Sequence, residues 1–277
     1  MNAKGSSMRL AELKRIAGTL RRRILRMAHK SRAGHVGCCL SMIDILTYLY
    51  FCEICIDPLN PNWENRDYFI LSKAHAAMGL YAVLAEKGFF DVKLLDDYNA
   101  ENGTLPSHLD RLNTPGVEVS AGSLGHGLSL ALGIAHGLKL RGRVNRVFTL
   151  MGDGETQEGS VWEAAMLAPK LGLDNLIAMI DFNNLQGYGR PTEITHFEPM
   201  DKKWEAFGWE VIKADGHDFH ELRRAFLSAG DCRKPCIIIL HTVKGKGVSF
   251  MEDQLKWHYY IVTDNRLTRA IKELEDA

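Results

Sequence analysis

Asp153 stands between two glycines in Met151-Gly152-Asp153-Gly154-Glu155-Thr156-Gln157-Glu158-Gly159, and Asn183 follows thirty residues later in Asp181-Phe182-Asn183-Asn184. A carboxylate and an amide oxygen brought to one place could hold a hard cation, since Mg²⁺ and Ca²⁺ take oxygen ligands. Glycine on both sides lets the backbone come close to a ligand, and a helix N-terminus behind it turns N–H groups toward an anion such as phosphate. A bare carboxylate would repel that phosphate unless a cation lay between them. The turn therefore reads as a metal-bridged diphosphate site. On the turn alone, an ordinary strand-to-helix turn whose glycines serve only geometry stays open. A dinucleotide fingerprint fits less well, because Gly-Asp-Gly-Glu-Thr-Gln lacks its third small residue and comes mid-chain.

Asp153 and Asn183 need elements that deliver them to one mouth. Arg146-Val147-Phe148-Thr149-Leu150 is an apolar run of strand length, Ser160 to Leu171 has helical spacing, and Asn175 to Asp181 is the next strand. A strand–helix–strand crossover of parallel strands puts both C-terminal strand ends on one edge of the sheet. With Asn183 at that crossover distance, the purely geometric reading of the turn weakens.

The remaining chain supplies histidines at similar places. An amphipathic helix over Met8 to Lys30 runs into Gly34-His35-Val36-Gly37, and Ser41 is the expected N-cap of a second helix reaching Phe51. Arg66 to Ser72 reads as the first strand and delivers Lys73-Ala74-His75. A helix over Ala76 to Lys87 then stops at Gly88. A short helix near Val92 to Tyr98 precedes the long irregular stretch Asn99 to Ala121, which carries His108; a loop that long in a compact domain is usually functional. Gly122-Ser123-Leu124-Gly125-His126-Gly127 opens a small-residue helix to about Leu140. Beyond the crossover come a helix over Met200 to Phe207, a strand over Trp209 to Ala214, and a helix over Phe219 to Ala229. A strand over Pro235 to Leu240, Lys244-Gly245-Lys246-Gly247, Trp257-His258 and a terminal helix over Leu267 to Leu274 complete the chain. One domain over residues 1–277 is expected, with no internal repeat or linker.

Gly152-Asp153-Gly154 followed by Asp181-Phe182-Asn183-Asn184 resembles the thiamine diphosphate motif, and Glu158-Gly159-Ser160-Val161-Trp162-Glu163-Ala164 resembles transketolases. The likeness runs from about Leu10 to about His258 and is to the N-terminal, diphosphate-binding part of the enzyme, which some organisms make as a separate subunit. It implies a three-layer α/β/α domain with a mainly parallel sheet. It also implies thiamine diphosphate with Mg²⁺ (or Ca²⁺, Mn²⁺), and transfer of a two-carbon ketol unit from a ketose or ketose phosphate to an aldose. Asp153 and Asn183 would ligate the metal through side chains and Leu185 through its carbonyl. Gly154 belongs to the diphosphate turn. Gly122, Ser123 and Leu124 fall in the segment whose backbone faces the aminopyrimidine. His75 and His258 would lie near the diphosphate, and His35, His108 and His258 would line the substrate channel as catalytic groups. Histidine suits the proton transfers there because its pKa lies near neutrality. Glu158 matches a glutamate of the subunit interface; it is equally placed to favour a helix N-terminus through the dipole.

The resemblance also implies a partner. Family members place the cofactor between two domains, and this sequence holds one sheet's worth of strands. A second subunit with the pyrimidine-binding and C-terminal domains is therefore expected, in two copies of each chain. Departures from the commoner pattern cluster around the substrate channel: Val36, Ala74 and Ala76, Tyr98-Asn99, His126, Gln186-Gly187-Tyr188-Gly189, and Tyr259-Tyr260. They put the identity of the sugar in question. The α subunit of a 2-oxoacid dehydrogenase shares Gly-Asp-Gly, but the histidine set and Leu71-Ser72-Lys73-Ala74-His75 argue against it. A non-catalytic regulatory or scaffolding paralogue is the alternative from another class, and intact Asp153, Asn183 and four histidines speak against that.

Composition narrows the setting. Of 277 residues, 46% are hydrophobic and 25% charged, which is ordinary globular usage with no apolar run long enough for a membrane span. Thirty-four basic residues balance 34 acidic ones, so net charge invites neither nucleic acid nor membrane. Arg21-Arg22-Arg23 reads as a solvated face or subunit contact. Six cysteines do not make a disulfide framework in a chain of this length, and Cys52-Glu53-Ile54-Cys55 lacks zinc partners. Buried thiols at a helix end are expected. The N-terminus has no signal-peptide pattern, and the cytoplasm is the default.

Overall fold

The computed structural model describes residues 8–276. Residues 1–7 and 277 of the expected domain lie outside the described residues. Strands β1 (Tyr68–Leu71), β2 (Val147–Gly152), β3 (Leu176–Phe182), β4 (Glu210–Asp215) and β5 (Cys236–His241) form one sheet in the order β1-β2-β3-β5-β4. Every pairing is parallel. A parallel sheet is covered on both faces, so its strands are continuous apolar runs rather than alternating ones. Successive side chains still point to opposite sides. Phe69, Leu71, Phe148, Leu150, Ile177, Met179, Ile238 and Leu240 enter one core. Ile70, Val147, Met151, Leu176, Ala178, Ile180, Ile237 and Ile239 enter the other. The edge strand β4 is only partly covered, which is why Glu210 and Lys213 are tolerated in it.

The helices are α1 (Leu10–Ser31), α2 (Val36–Ser41), α3 (Ile43–Tyr48), α4 (Ala77–Lys87) and α5 (His126–Leu140). They continue as α6 (Gly159–Lys170), α7 (Pro191–Ile194), α8 (Met200–Ala206), α9 (Phe219–Gly230) and α10 (Asp264–Glu275). Apolar residues of α1 to α4, α9 and α10 fill the first core, and those of α5, α6 and α8 fill the second. The result is the expected α/β/α sandwich. Among the described residues no helix is long and apolar enough to cross a membrane.

Several local expectations are corrected. The second helix does not begin at Ser41; α2 begins at Val36 and ends at Ser41, and α3 follows after Met42 and passes into a π-helical turn over Leu49–Glu53. Ser41 cannot cap because its hydroxyl is engaged, donating to Asp181 Oδ2 at 2.6 Å. The Arg21–Arg23 run is not a solvated face. Arg21 is buried, and its guanidinium donates to both oxygens of Asp44 at 3.0 and 2.6 Å. Arg23 pairs with Glu86 of α4. The expected short helix near Val92 is present, as a 3₁₀ helix over Val92–Asp97. Cys52 and Cys55 are free and half-buried rather than buried.

The Arg21–Asp44 pair, with His217 Nδ1 at 2.7 Å from Asp44 Oδ2, joins α1, α3 and the loop after β4. Burial alone would raise the Asp44 carboxyl; Arg21 and then His217 more than reverse this and hold it at about 2. A depressed carboxylate pKa contributes stability above its unfolded value, near 4, that is lost as pH falls through the folded value. Asp44→Asn should therefore lower stability at neutral pH by roughly 2 kcal/mol. The gap from the parent in denaturant melts should close as pH drops from about 4 to about 2. A gap that stays constant over that window would remove the pair from this role.

Candidate functional site

The C-terminal ends of β1, β2, β3 and β5 share one edge of the sheet, and each delivers a polar residue there. Gly152 pairs with Asp181, and Phe182 with His241, so the residues just beyond them, Asp153, Asn183 and Thr242, arrive side by side. Asp181 itself is fully buried at the end of β3. Its carboxylate accepts from Lys73, from Ser41 Oγ at 2.6 Å, from Asn183 Nδ2 at 3.2 Å and from Thr242 Oγ1. Lys73 also donates to Cys38 O at 3.0 Å. Burial pushes the Asp181 carboxyl up, but Lys73 and these donors outweigh it and hold it below the usual range.

Asp153 is in the opposite state. Its side chain accepts from Gly154 N at 2.6 Å and from Asn184 N across the crossover, so the structure does bring the two turns together. Burial and the neighbouring Asp181 push its carboxyl up to about 6. Asn183 Oδ1 accepts from Leu185 N at 3.1 Å. The Leu185 carbonyl accepts from Lys244 Nζ at 2.8 Å. A Cβ on Gly154 would lie 2.7 Å from the Gln186 side chain, so glycine is required at that position.

Three of the four histidines converge above this layer. Ring centroids of His35, His75 and His258 lie 5.1 to 5.7 Å apart. His35 occupies the left-handed region at φ 63°, and its N–H donates to His258 O at 2.8 Å. Lys244 Nζ donates to His258 Nδ1 at 2.8 Å, which leaves the Nε2 proton facing outward, toward Gly187. Burial lowers the His35 pKa; burial and then Lys244 push His258 down to about 3. Both are neutral imidazoles in this arrangement. His108 is exposed; its ring lies 3.6 Å from a Cβ built on Gly122, and its carbonyl accepts from Tyr81 at 3.2 Å. Gly122, Ser123 and Leu124 are exposed on the adjoining loop.

That loop is tied to the Gly-Asp-Gly turn by a residue to which the sequence assigned no role. The buried Glu155 carboxylate accepts from Ser72 Oγ, Gly125 N at 2.8 Å and Gly152 N at 3.0 Å. One side chain thereby fixes the ends of β1 and β2 and the loop before α5. Glu158 occupies the N-cap position of α6, but its side chain makes no capping hydrogen bond. It packs instead where a Cβ on Gly125 would be, at 2.6 Å. Glu158 therefore stands at the helix N-terminus, where the dipole favours a carboxylate, without a side-chain cap. Lys73, Lys244, Asp181 and Glu155 are the residues that local sequence pattern left without a role. The signal for the lysines was their place beside strand-end histidines and glycines, in Ser72-Lys73-Ala74-His75 and Lys244-Gly245.

The Lys73–Asp181 pair has a measurable consequence. Lys73→Met leaves Asp181 buried without its cation, a change that typically costs about 3–5 kcal/mol. The double variant Lys73→Met/Asp181→Leu should be more stable than Lys73→Met alone, since an apolar replacement removes the uncompensated charge. Chemical denaturation of the parent and the three variants checks this; additive losses would contradict the pairing.

A family profile described as transketolase, thiamine diphosphate binding domain, matches residues 13–273. The chain is 43% identical over 265 residues to the 6-deoxy-6-sulfo-D-fructose transketolase subunit SqwG of Clostridium sp. (strain MSTE9), covering 95% of this chain and 96% of that one. It is 40% identical over 257 residues to one of the subunits of the apulose-4-phosphate transketolase of Phocaeicola vulgatus, covering 92% of this chain and 91% of that one. The solved transketolase of Campylobacter jejuni superposes with a TM-score of 0.90 at 32% identity, over 97% of this chain but 43% of that longer one. Asp153 and Asn183 at adjoining strand ends, the parallel sheet that carries them and these matches agree: the chain belongs to the transketolase family and corresponds to its thiamine diphosphate binding domain.

Proposed function

We propose that this chain, as a single domain, is the diphosphate- and metal-holding half of a two-chain transketolase. The pair would move a two-carbon ketol unit from a ketose or ketose phosphate to an aldose. The observation that carries this reading is Asp153, a buried carboxylate raised to about 6 with only backbone N–H groups as partners. Such a group is favoured as an anion once a cation arrives. The Asn184 turn that donates to it carries two more oxygens on its flanks, Asn183 Oδ1, which accepts from Leu185 N, and the Leu185 carbonyl, which accepts from the Lys244 ammonium. An oxygen set with one carboxylate fits Mg²⁺, which leaves further positions to water and diphosphate. Among the described residues there is no group of three or more His, Cys, Asp and Glu side chains that could hold a metal ion. The Gln186 carboxamide oxygen lies 2.7 Å from a Cβ built on Gly154, and among the described residues its buried amide nitrogen has no acceptor.

When bound, the thiazolium ring of thiamine diphosphate supplies the electron sink for cleavage between C2 and C3 of the donor. This chain's residues do the rest of the work assigned to them. The exposed backbone of Gly122 to Leu124 would face the aminopyrimidine, and His75 and His258 would flank the diphosphate. His258, with Nδ1 held by Lys244, offers its Nε2 proton to a donor oxygen. Neutral His35 and the exposed His108 can take or return a proton at substrate hydroxyls. Glu158 would reach the neighbouring subunit.

Support for a partner comes from the relatives matched over nearly their whole length, which are named as transketolase subunits. We propose two copies of each chain. Co-purification with the chain encoded beside it, followed by ketol-transfer assays with and without that partner, tests the reading; full activity of this chain alone would overturn it. In the assembled pair, Asp153→Ala should abolish Mg²⁺-dependent cofactor binding, measured by titration calorimetry, while thermal unfolding of the variant stays cooperative. Unchanged cofactor affinity would remove Asp153 from the metal.

A further inference from the structure

Tyr259 has no part in the chemistry above, yet it leans on the groups that do. Its ring centroid lies 4.6 Å from that of His258 and 5.9 Å from that of His35. Its backbone is fixed as well: a Cβ on Gly34 would meet Tyr259 O at 3.2 Å and Cα at 3.3 Å, beside the His35 N to His258 O hydrogen bond. Across the mouth, the Tyr259 hydroxyl lies 2.7 Å from a Cβ built on Gly187. The ring therefore spans from the histidine cluster to the Gln186-Gly187-Tyr188 loop.

Burial falls off along this line from the interior to the surface. Lys244 is 1% exposed, Tyr259 is 56% exposed and Tyr188 is 86% exposed. The reacting carbons of a substrate belong with the buried charges and histidines. On the transketolase reading, the remainder of the substrate would leave the mouth past Tyr259. Aromatic rings with a polar tip suit that task, presenting a flat apolar face and a hydroxyl to one ligand.

We propose that Tyr259 is a specificity-determining residue, whose ring and hydroxyl contact the sugar carbons beyond the transferred two-carbon unit. The inference rests on the transketolase reading of the site. It implies a contact that a short donor cannot make and a longer ketose can. Loss of that contact removes binding shared by ground and transition states, so it raises KM and leaves kcat in place.

The test uses the assembled pair and two kinds of donor: hydroxypyruvate, which carries only a carboxylate beyond the ketol unit, and ketose monophosphates of increasing length. Tyr259→Ala should raise KM for the ketose phosphates about tenfold, within the range seen when one pocket contact is lost. The same variant should change kcat, and both parameters for hydroxypyruvate, by less than about twofold. Tyr259→Phe keeps the ring packed on His258 and should show a smaller shift of the same kind. Equal losses on short and long donors would overturn the proposal, reducing Tyr259 to a prop for His258; so would no loss on either. If the unmodified pair transfers nothing from any donor, the transketolase reading falls and this inference falls with it. Selective or non-selective loss in an active pair judges Tyr259 alone.

Discussion

Everything at the mouth of this sheet depends on keeping Asp181 ionised inside the protein. An isolated carboxylate there would cost far more than the fold could supply, so it must be paired and hydrogen-bonded. Lys73 from the end of β1, Ser41 from α2, Thr242 from beyond β5 and Asn183 on its own strand all donate to it. Those four donors come from four separate stretches of chain. Satisfying one charge therefore ties the end of β3 to α2 and to the ends of β1 and β5. The broken second helix is one result, because Ser41 is pulled down to the carboxylate instead of capping a turn.

The same pairing sets the electrostatics of its neighbour. With Asp181 claimed by Lys73, Asp153 makes no ion pair among the described residues, feels Lys244 only weakly and faces a second negative charge. Two aspartates on adjacent strands are thus driven apart, one held low and the other raised to about 6. The difference comes from partners rather than from depth, since both are buried. Lys244 is held in place by the Leu185 carbonyl and His258, and burial pushes its ammonium pKa down. The site is thus pre-organised for a ligand that brings both positive and negative charge, as a metal-bound diphosphate does.

How much of this was legible depended on the range of the interaction. The strands were visible because β2, β3 and β5 are continuous apolar runs. The meeting of the Asp153 and Asn183 turns followed from crossover geometry alone. Glu155 could not be read, because its three donors, Ser72, Gly125 and Gly152, are scattered along the chain and only one is local. Arg21 was misread for a related reason: within its own helix it belongs to a charged run, and its partner Asp44 lies on another helix. Local periodicity reports which face of an element is buried. It carries no information about a long polar side chain that crosses between elements to satisfy a charge.

That distinction also explains where this sequence can depart from its family. Lys73 and Asp181 hold one another, so altering either singly leaves a charged partner stranded in the interior. Val36, Ala74 and Ala76 are buried too, but they are apolar and fill space without stranding any charge. His126, Tyr188, Tyr259 and Tyr260 are exposed, and a change there is bounded only by what passes the mouth. The chemistry is fixed by a layer in which every member constrains the others. Among the described residues the exposed rim carries no such ion pair, and Tyr259 touches the buried layer only through the rings of His258 and His35.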